Sequence, residues 1–142
     1  MRIIAGKFKG RKLLPLRTGA TRPTAGKVRE AVFNICADRI AGARVLDLFA
    51  GTGAFGLEAL SRGARHAVFI ESDPNAVELI KKNIAACGAQ ALSTVIRWNI
   101  LSDLKCIART DTAFDLVFLD PPYNRDALKP ALDNLLKAGA LA

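Results

Sequence analysis

Val45-Leu-Asp-Leu-Phe-Ala-Gly-Thr-Gly-Ala-Phe-Gly56 is the stretch on which the fold turns. Its first residues are an apolar run broken only by Asp47, the composition of a buried strand. Gly51, Gly53 and Gly56 then follow the spacing G-x-G-x-x-G and open a helix. Such glycines let the backbone approach a ligand closely at the carboxyl end of a strand. Glu71 follows Gly51 by twenty residues, at the end of a second apolar run. A carboxylate there can accept both hydroxyls of a ribose. Ala50 and Ser72 stand beside these two positions and are candidate cofactor contacts with them, as is Asp120 at the end of the fourth strand. To this point the pattern specifies a ribose-bearing cofactor, and a nicotinamide dinucleotide satisfies it as well as any other.

Outward from this turn the same unit recurs. A strand over 44–49 precedes a helix over 54–62 that Gly63 ends. A strand over 67–71 precedes Asp73-Pro74, an N-cap and a first-turn proline, and a helix to about 86. A strand over 92–98 leads to a helix around 101–109, and a strand over 114–120 to a helix over about 125–137. Pro130 lies inside that last segment, so the helix is kinked or starts late. Strands alternating with helices predict an α/β fold, a mostly parallel sheet with helices on both faces. Ahead of the first strand, Thr24 is a plausible N-cap. Val28, Ala31, Val32 and Ile35 fall at helical spacing, which predicts an amphipathic helix over 24–37.

The fourth strand ends in Asp120-Pro121-Pro122-Tyr123. Asp120 and the Pro121 carbonyl can accept the N–H donors of a flat amino group, and Tyr123 can stack on its face. An ordinary strand-to-helix turn also favours Asp and Pro. Three details favour S-adenosylmethionine over a dinucleotide. Asp47 precedes the glycines, where it can meet an ammonium group and would repel a pyrophosphate. Asn99 ends the third strand, where its amide can reach an adenine edge. The Asp-Pro-Pro-Tyr run borders the same crevice, and a dehydrogenase has no use for it. Asp47 equally suits bonding of the loop or helix after it, and Asn99 equally suits a helix N-cap.

The chain has 142 residues, 51% hydrophobic and 24% charged, which fits one globular domain with a real core. No apolar run approaches the ~20 residues of a membrane span, and no signal-peptide core is present. Three widely spaced cysteines and one histidine argue against a disulfide framework or a metal site and for a cytoplasmic protein. The net charge of +8 is concentrated at one end. Residues 1–29 carry nine Lys or Arg and no acid, so residues 30–142 sum to −1. That asymmetry points to a polyanion, most simply nucleic acid, with Lys7, Lys9, Arg11, Lys12 and Arg22 as candidate contacts. The leader also contains Ile3, Ile4, Phe8, Leu13, Leu14 and Leu16. Its pattern predicts an ordered hairpin turning near Lys9-Gly10, in an extension over 1–22 that precedes the domain over 23–142.

Taken together, Arg2-Ile-Ile-Ala-Gly6, Arg22-Pro-Thr24, Val28-Arg-Glu-Ala-Val-Phe-Asn-Ile35, Leu46-Asp-Leu-Phe-Ala-Gly-Thr-Gly53, Gly56-Leu-Glu-Ala-Leu-Ser-Arg-Gly63 and Leu119-Asp-Pro-Pro-Tyr123 resemble the bacterial 16S rRNA guanine-N2 methyltransferases. The resemblance implies the Rossmann-like class I methyltransferase fold with a seven-stranded sheet. It implies S-adenosylmethionine held by Asp47, Gly51, Gly53 and Glu71, with Asn99 near the adenine. It implies catalysis at Asp120, Pro121, Pro122 and Tyr123 on a flipped-out guanine of small-subunit rRNA, by a monomer without metal. The C-terminal strands of such a sheet are expected to be missing, which makes the chain a fragment or a shortened relative. Adenine-N6 of DNA or another RNA, a glutamine amide, or an RNA-binding relative without turnover fit the same motifs.

Overall fold

The computed structural model describes residues 1–16, 25–110, 113–121 and 126–142. Arg22, Thr24, Pro122 and Tyr123 lie outside the described residues. Four strands, β1 (Arg44–Leu48), β2 (His66–Glu71), β3 (Ser93–Arg97) and β4 (Leu116–Leu119), form one parallel sheet in the order β3-β2-β1-β4. Each connection is a crossover carrying helix, as parallel pairing requires. Among the described residues four α-helices accompany them: α1 (Ala25–Ile35), α2 (Ala54–Ser61), α3 (Pro74–Ala86) and α4 (Leu128–Ala138).

Side chains alternate across the sheet, and this sorts the core into two layers. Val45, Ala67, Phe69 and Phe118 pack under α1, α2, α3 and the leader. Leu46, Leu48, Val68 and Ile70 pack against Leu104, Ile107, Ala131 and Leu135 on the other face. β1 and β2 are therefore buried on both sides, which is why they read as nearly unbroken apolar runs.

The helices begin and end for identifiable reasons. Asp73 caps α3 by accepting from the Asn75 N–H at 3.0 Å, with Pro74 in the first turn. α4 starts late, at Leu128, so Pro130 sits in its first turn, where no N–H is needed, and Gly139 in the left-handed region ends it. The expected helix around 101–109 is instead a turn followed by a 3₁₀ helix, Lys105–Thr110. Asn99 and Asp103 each bond the backbone two residues on, at 3.0 and 2.9 Å, and these local turns compete with a continuous helix. In α1 the face that turns inward is not the aliphatic one. Phe33 and Arg29 are buried, while Val28 and Ile35 face solvent at 55% and 83% exposure. Arg29 is drawn in by Glu58 of α2. Among the described residues no helix is long and apolar enough to cross a membrane.

The leader is fastened down over its length. Arg2 and Lys12 form an antiparallel bridge, and Ile3, Phe8 and Leu13 are buried in the core layer of α2. Glu58, itself fully buried, accepts the N–H groups of Ile4 and Ala5 at 2.9 and 3.1 Å. Arg62 donates to the same carboxylate at 3.0 Å, and Arg29 stands 3.5 Å from it while donating to the Arg2 carbonyl. Gly6 lies so close to α2 that a Cβ there would meet the Ser61 carbonyl at 2.0 Å.

Candidate active site

The chain runs β1 to β2 to β3 in one direction and then returns to place β4 on the far side of β1. The crevice at the carboxyl ends of β1 and β4 is thus a topological switch point, where open α/β sheets bind ligands. Register fixes what meets there. Leu48 is opposite Ile70 on one side and Leu119 on the other, so the next row holds Glu71, Phe49 and Asp120. Asp47, two residues earlier on β1, lies opposite Phe69 and Phe118. By the alternation of strands, Asp47, Glu71 and Asp120 project from the same face.

The turn between β1 and α2 is held by these acids. Glu71 accepts from the Gly51 N–H at 3.0 Å with one oxygen and from Ser72 and Asp73 at 2.9 and 3.0 Å with the other. Asp47 accepts from the Gly56 N–H at 3.0 Å, in the first turn of α2. The loop-bonding role open to Asp47 from its position is therefore present. Phe49, Gly51 and Gly53 all take positive φ, 56°, 57° and 83°; of the three, only Phe49 is strained by it. Gly56 is required by packing, since a Cβ there would lie 2.3 Å from the Phe69 ring. Gly51 and Gly53 thus serve the turn by their positive φ, and Gly56 the helix–sheet contact.

Burial pushes the Asp47 carboxyl up to about 8; the charges of Asp120 and Glu71 add to the rise, against the Gly56 hydrogen bond. A buried acid beside two others is a socket that favours a cation. Asp120 itself is exposed, and Pro121 is half-buried. Asn99 is exposed just past β3 and bonds its own turn at the Leu101 N–H, the capping role its position also allowed. Ala50 extends the β1–β2 pairing by donating to the Ile70 carbonyl at 3.1 Å. Of the basic candidates, Lys7, Lys9 and Lys12 are exposed on the leader. Arg11 is exposed too, but its guanidinium donates to the Ala86 carbonyl at the end of α3.

Two residues that the sequence reading passed over matter here. Glu58 is the only charged residue in an otherwise apolar and small α2. Asn83 is polar yet stands in the buried stripe of α3 with Ala76, Val77, Ile80 and Ile84. A polar side chain on the apolar face of a helix was the available signal in both cases.

A sheet that doubles back at this point, with acids converging over a glycine turn, places the protein among the Rossmann-like methyltransferases. Solved structures of that class overlay it: "Putative methyltransferase yhhF from Escherichia coli" does so with a TM-score of 0.86 and 41% identity, over 100% of this chain and 75% of that one. A family described as conserved hypothetical protein 95 matches residues 1–142. The ribosomal RNA small subunit methyltransferase D of Escherichia coli is 42% identical over 142 residues, covering 100% of this chain and 70% of that protein. Its namesake in Haemophilus influenzae is 38% identical over 148 residues, covering 99% and 76%. The chain belongs to this family of bacterial small-subunit rRNA methyltransferases.

Proposed function

We propose that the protein transfers a methyl group from S-adenosylmethionine to the exocyclic N2 amino group of a guanine in small-subunit rRNA, working in the cytoplasm as a monomer. The observation that carries this reading is the convergence of Asp47, Glu71 and Asp120 on one face at the switch point, around the turn at Gly51. The site fits the cofactor's chemistry. Glu71 offers a half-buried carboxylate for the ribose, the glycine turn offers close approach, and the buried acid Asp47 favours the ammonium group. Asn99 is placed near the adenine by the same reading, with Ala50 and Ser72 lining the site. When bound, the cofactor supplies a methyl group already activated on a sulfonium.

The difficulty lies with the nucleophile, because an exocyclic amino nitrogen shares its lone pair with the ring. Asp120 and the Pro121 carbonyl accept its two hydrogens and turn the lone pair toward the methyl group. Positioning supplies much of the rate. Positive charge builds on the nitrogen during attack, and the same oxygens stabilise it. The proton leaves easily afterwards. Tyr123 stacks on the flipped base, worth ~1–3 kcal/mol by analogy with other base–aromatic contacts. Pro121 and Pro122 restrict motion of this platform. Lys7, Lys9, Lys12 and Arg22 contact RNA phosphates, and the basic excess favours RNA over a protein amide.

The test is methyl transfer from labelled S-adenosylmethionine into small ribosomal subunits, naked rRNA and DNA in parallel, with the product nucleoside identified. The reading expects N2-methylguanosine in rRNA. N6-methyladenine, or label in protein, would replace the substrate and leave the chemistry standing.

A further inference from the structure

Asn83 is fully buried on α3, and its amide is used at both ends. Its Oδ1 accepts the Leu14 N–H at 2.7 Å, and its Nδ2 donates to the Leu14 carbonyl at 3.1 Å and to the Thr52 carbonyl at 2.9 Å. Leu14 belongs to the basic leader, and Thr52 lies between Gly51 and Gly53. One side chain therefore ties two backbone segments that are 38 positions apart in the sequence, and each has a distinct ligand in the proposed function. Two other contacts follow the same line. The Thr52 hydroxyl donates to the Met1 sulfur at 3.7 Å, and Leu16 reaches to 3.7 Å from where a Gly51 side chain would begin.

Only a carboxamide satisfies this arrangement. Both of its N–H groups point at carbonyls, and its oxygen faces an N–H. A carboxylate would oppose two carbonyl oxygens. An alkyl side chain would leave three part-buried backbone groups without this partner. The other end of the leader is anchored separately, by Glu58 at Ile4 and Ala5. Among the contacts that hold the leader's outgoing end, beyond Lys7, Lys9 and Lys12, Asn83 is thus the one that hydrogen-bonds both the leader backbone and the backbone of the glycine turn.

We infer that Asn83 is a positioning residue that couples the leader to the glycine turn, so that cofactor in the turn stiffens the leader and tightens RNA binding, and RNA on the leader tightens cofactor binding by the same factor. Linkage requires that reciprocity. The inference rests on the cofactor and RNA reading given above. It assigns the two sites a shared element rather than a new ligand.

The test uses the full chain, wild type and two variants. Asn83→Ala removes the link from the α3 side. Leu14→Pro removes the N–H end of it and stiffens the backbone beside Pro15, on an exposed leader residue outside the core, and so remains informative should the core variant fold poorly. Calorimetry measures S-adenosylmethionine affinity, and hydrogen exchange follows the amides of residues 3–14 with and without cofactor. An rRNA fragment is titrated with and without S-adenosylhomocysteine. In the wild type, cofactor should slow leader exchange and raise RNA affinity by about tenfold, within the usual range for coupled sites. In Asn83→Ala, cofactor should still bind, yet leader exchange should no longer respond and the RNA enhancement should fall to about one. Leu14→Pro should show an intermediate loss. A merely structural role would weaken both sites without abolishing their mutual effect. Wild-type protein that binds cofactor with no change in the leader would overturn the coupling alone. Wild-type protein that binds no cofactor would overturn the coupling and the functional reading together.

Discussion

The two banks of the crevice are built differently. On the β1–β2 bank both acids have backbone partners: Asp47 accepts from Gly56, and Glu71 from Gly51, Ser72 and Asp73, while Asn83 of α3 donates to the Thr52 carbonyl. β1 and β2 are buried on both faces. On the β4 bank, Asp120 is exposed, and among the described residues Leu116–Leu119 is ladder-paired to β1 alone, with a single bridge from Phe114 to Leu141 on its other side. One bank is a preformed cradle whose geometry is fixed by internal hydrogen bonds. The other ends in the exposed Asp120, the group proposed to meet the substrate. The lesson is that cofactor affinity and methyl transfer should fail separately when the two banks are altered.

Asp120→Ala tests that separation hardest. It should lower methyl transfer by about a thousandfold, the scale of losing a group that stabilises developing charge, while calorimetric affinity for S-adenosylmethionine changes only a few-fold. Parallel loss of both would merge the two banks into one. Glu58→Gln should come next, through stability. It removes the countercharge from buried Arg29 and from Arg62, and breaking such a buried pair costs about 3–5 kcal/mol. A melting curve should drop accordingly, and a variant as stable as wild type would show that the leader is held without this cluster. Gly56→Ala should cost about 1–3 kcal/mol through the clash with Phe69, with cofactor affinity reduced beyond what unfolding explains. The smallest effect belongs to the leader. Replacing Lys7, Lys9 and Lys12 by Ala should reduce the slope of log affinity for RNA against log salt by about 2, and an unchanged slope would remove these lysines from the interface.

Much of the cradle was legible because its signals are local. Apolar runs of strand length, the glycine spacing around Gly51, and Asp73-Pro74 at the head of α3 each report a short-range constraint. Alternation of strands and helices implied a parallel sheet, whereas the row that joins Glu71, Phe49 and Asp120 depends on the order β3-β2-β1-β4 and its register. What was not legible depends on residues distant in sequence. Val28 and Ile35 mark a plausible buried face, but the α1 face that turns inward carries Arg29, because its partner Glu58 lies 29 positions away on α2. In sequence Asn83 stands out only as a polar residue in the apolar stripe of α3, and its partners Leu14 and Thr52 are brought to it by the fold. The segment over 101–109 carries apolar residues at near-helical spacing, and the turn bonds of Asn99 and Asp103 prevail there.

The central claim is that acids on the β1 side receive a cationic methyl donor, and Asp47 offers its most direct test. With its carboxyl held up to about 8 by burial, against an ordinary value of 3.8, the empty folded protein carries a proton at neutral pH that the unfolded chain has released. Stability from this group is therefore full below the unfolded value and is lost as pH rises to about 8. A cation favours the ionised form, so affinity for S-adenosylmethionine should climb with pH and level off above about 8. Calorimetric titration at neutral pH, in two buffers of different ionisation enthalpy, counts the protons exchanged. Wild type should release about one proton per cofactor bound, and Asp47→Asn none, with weaker binding. Equal proton counts in the two proteins, or tight binding indifferent to pH, would contradict the account.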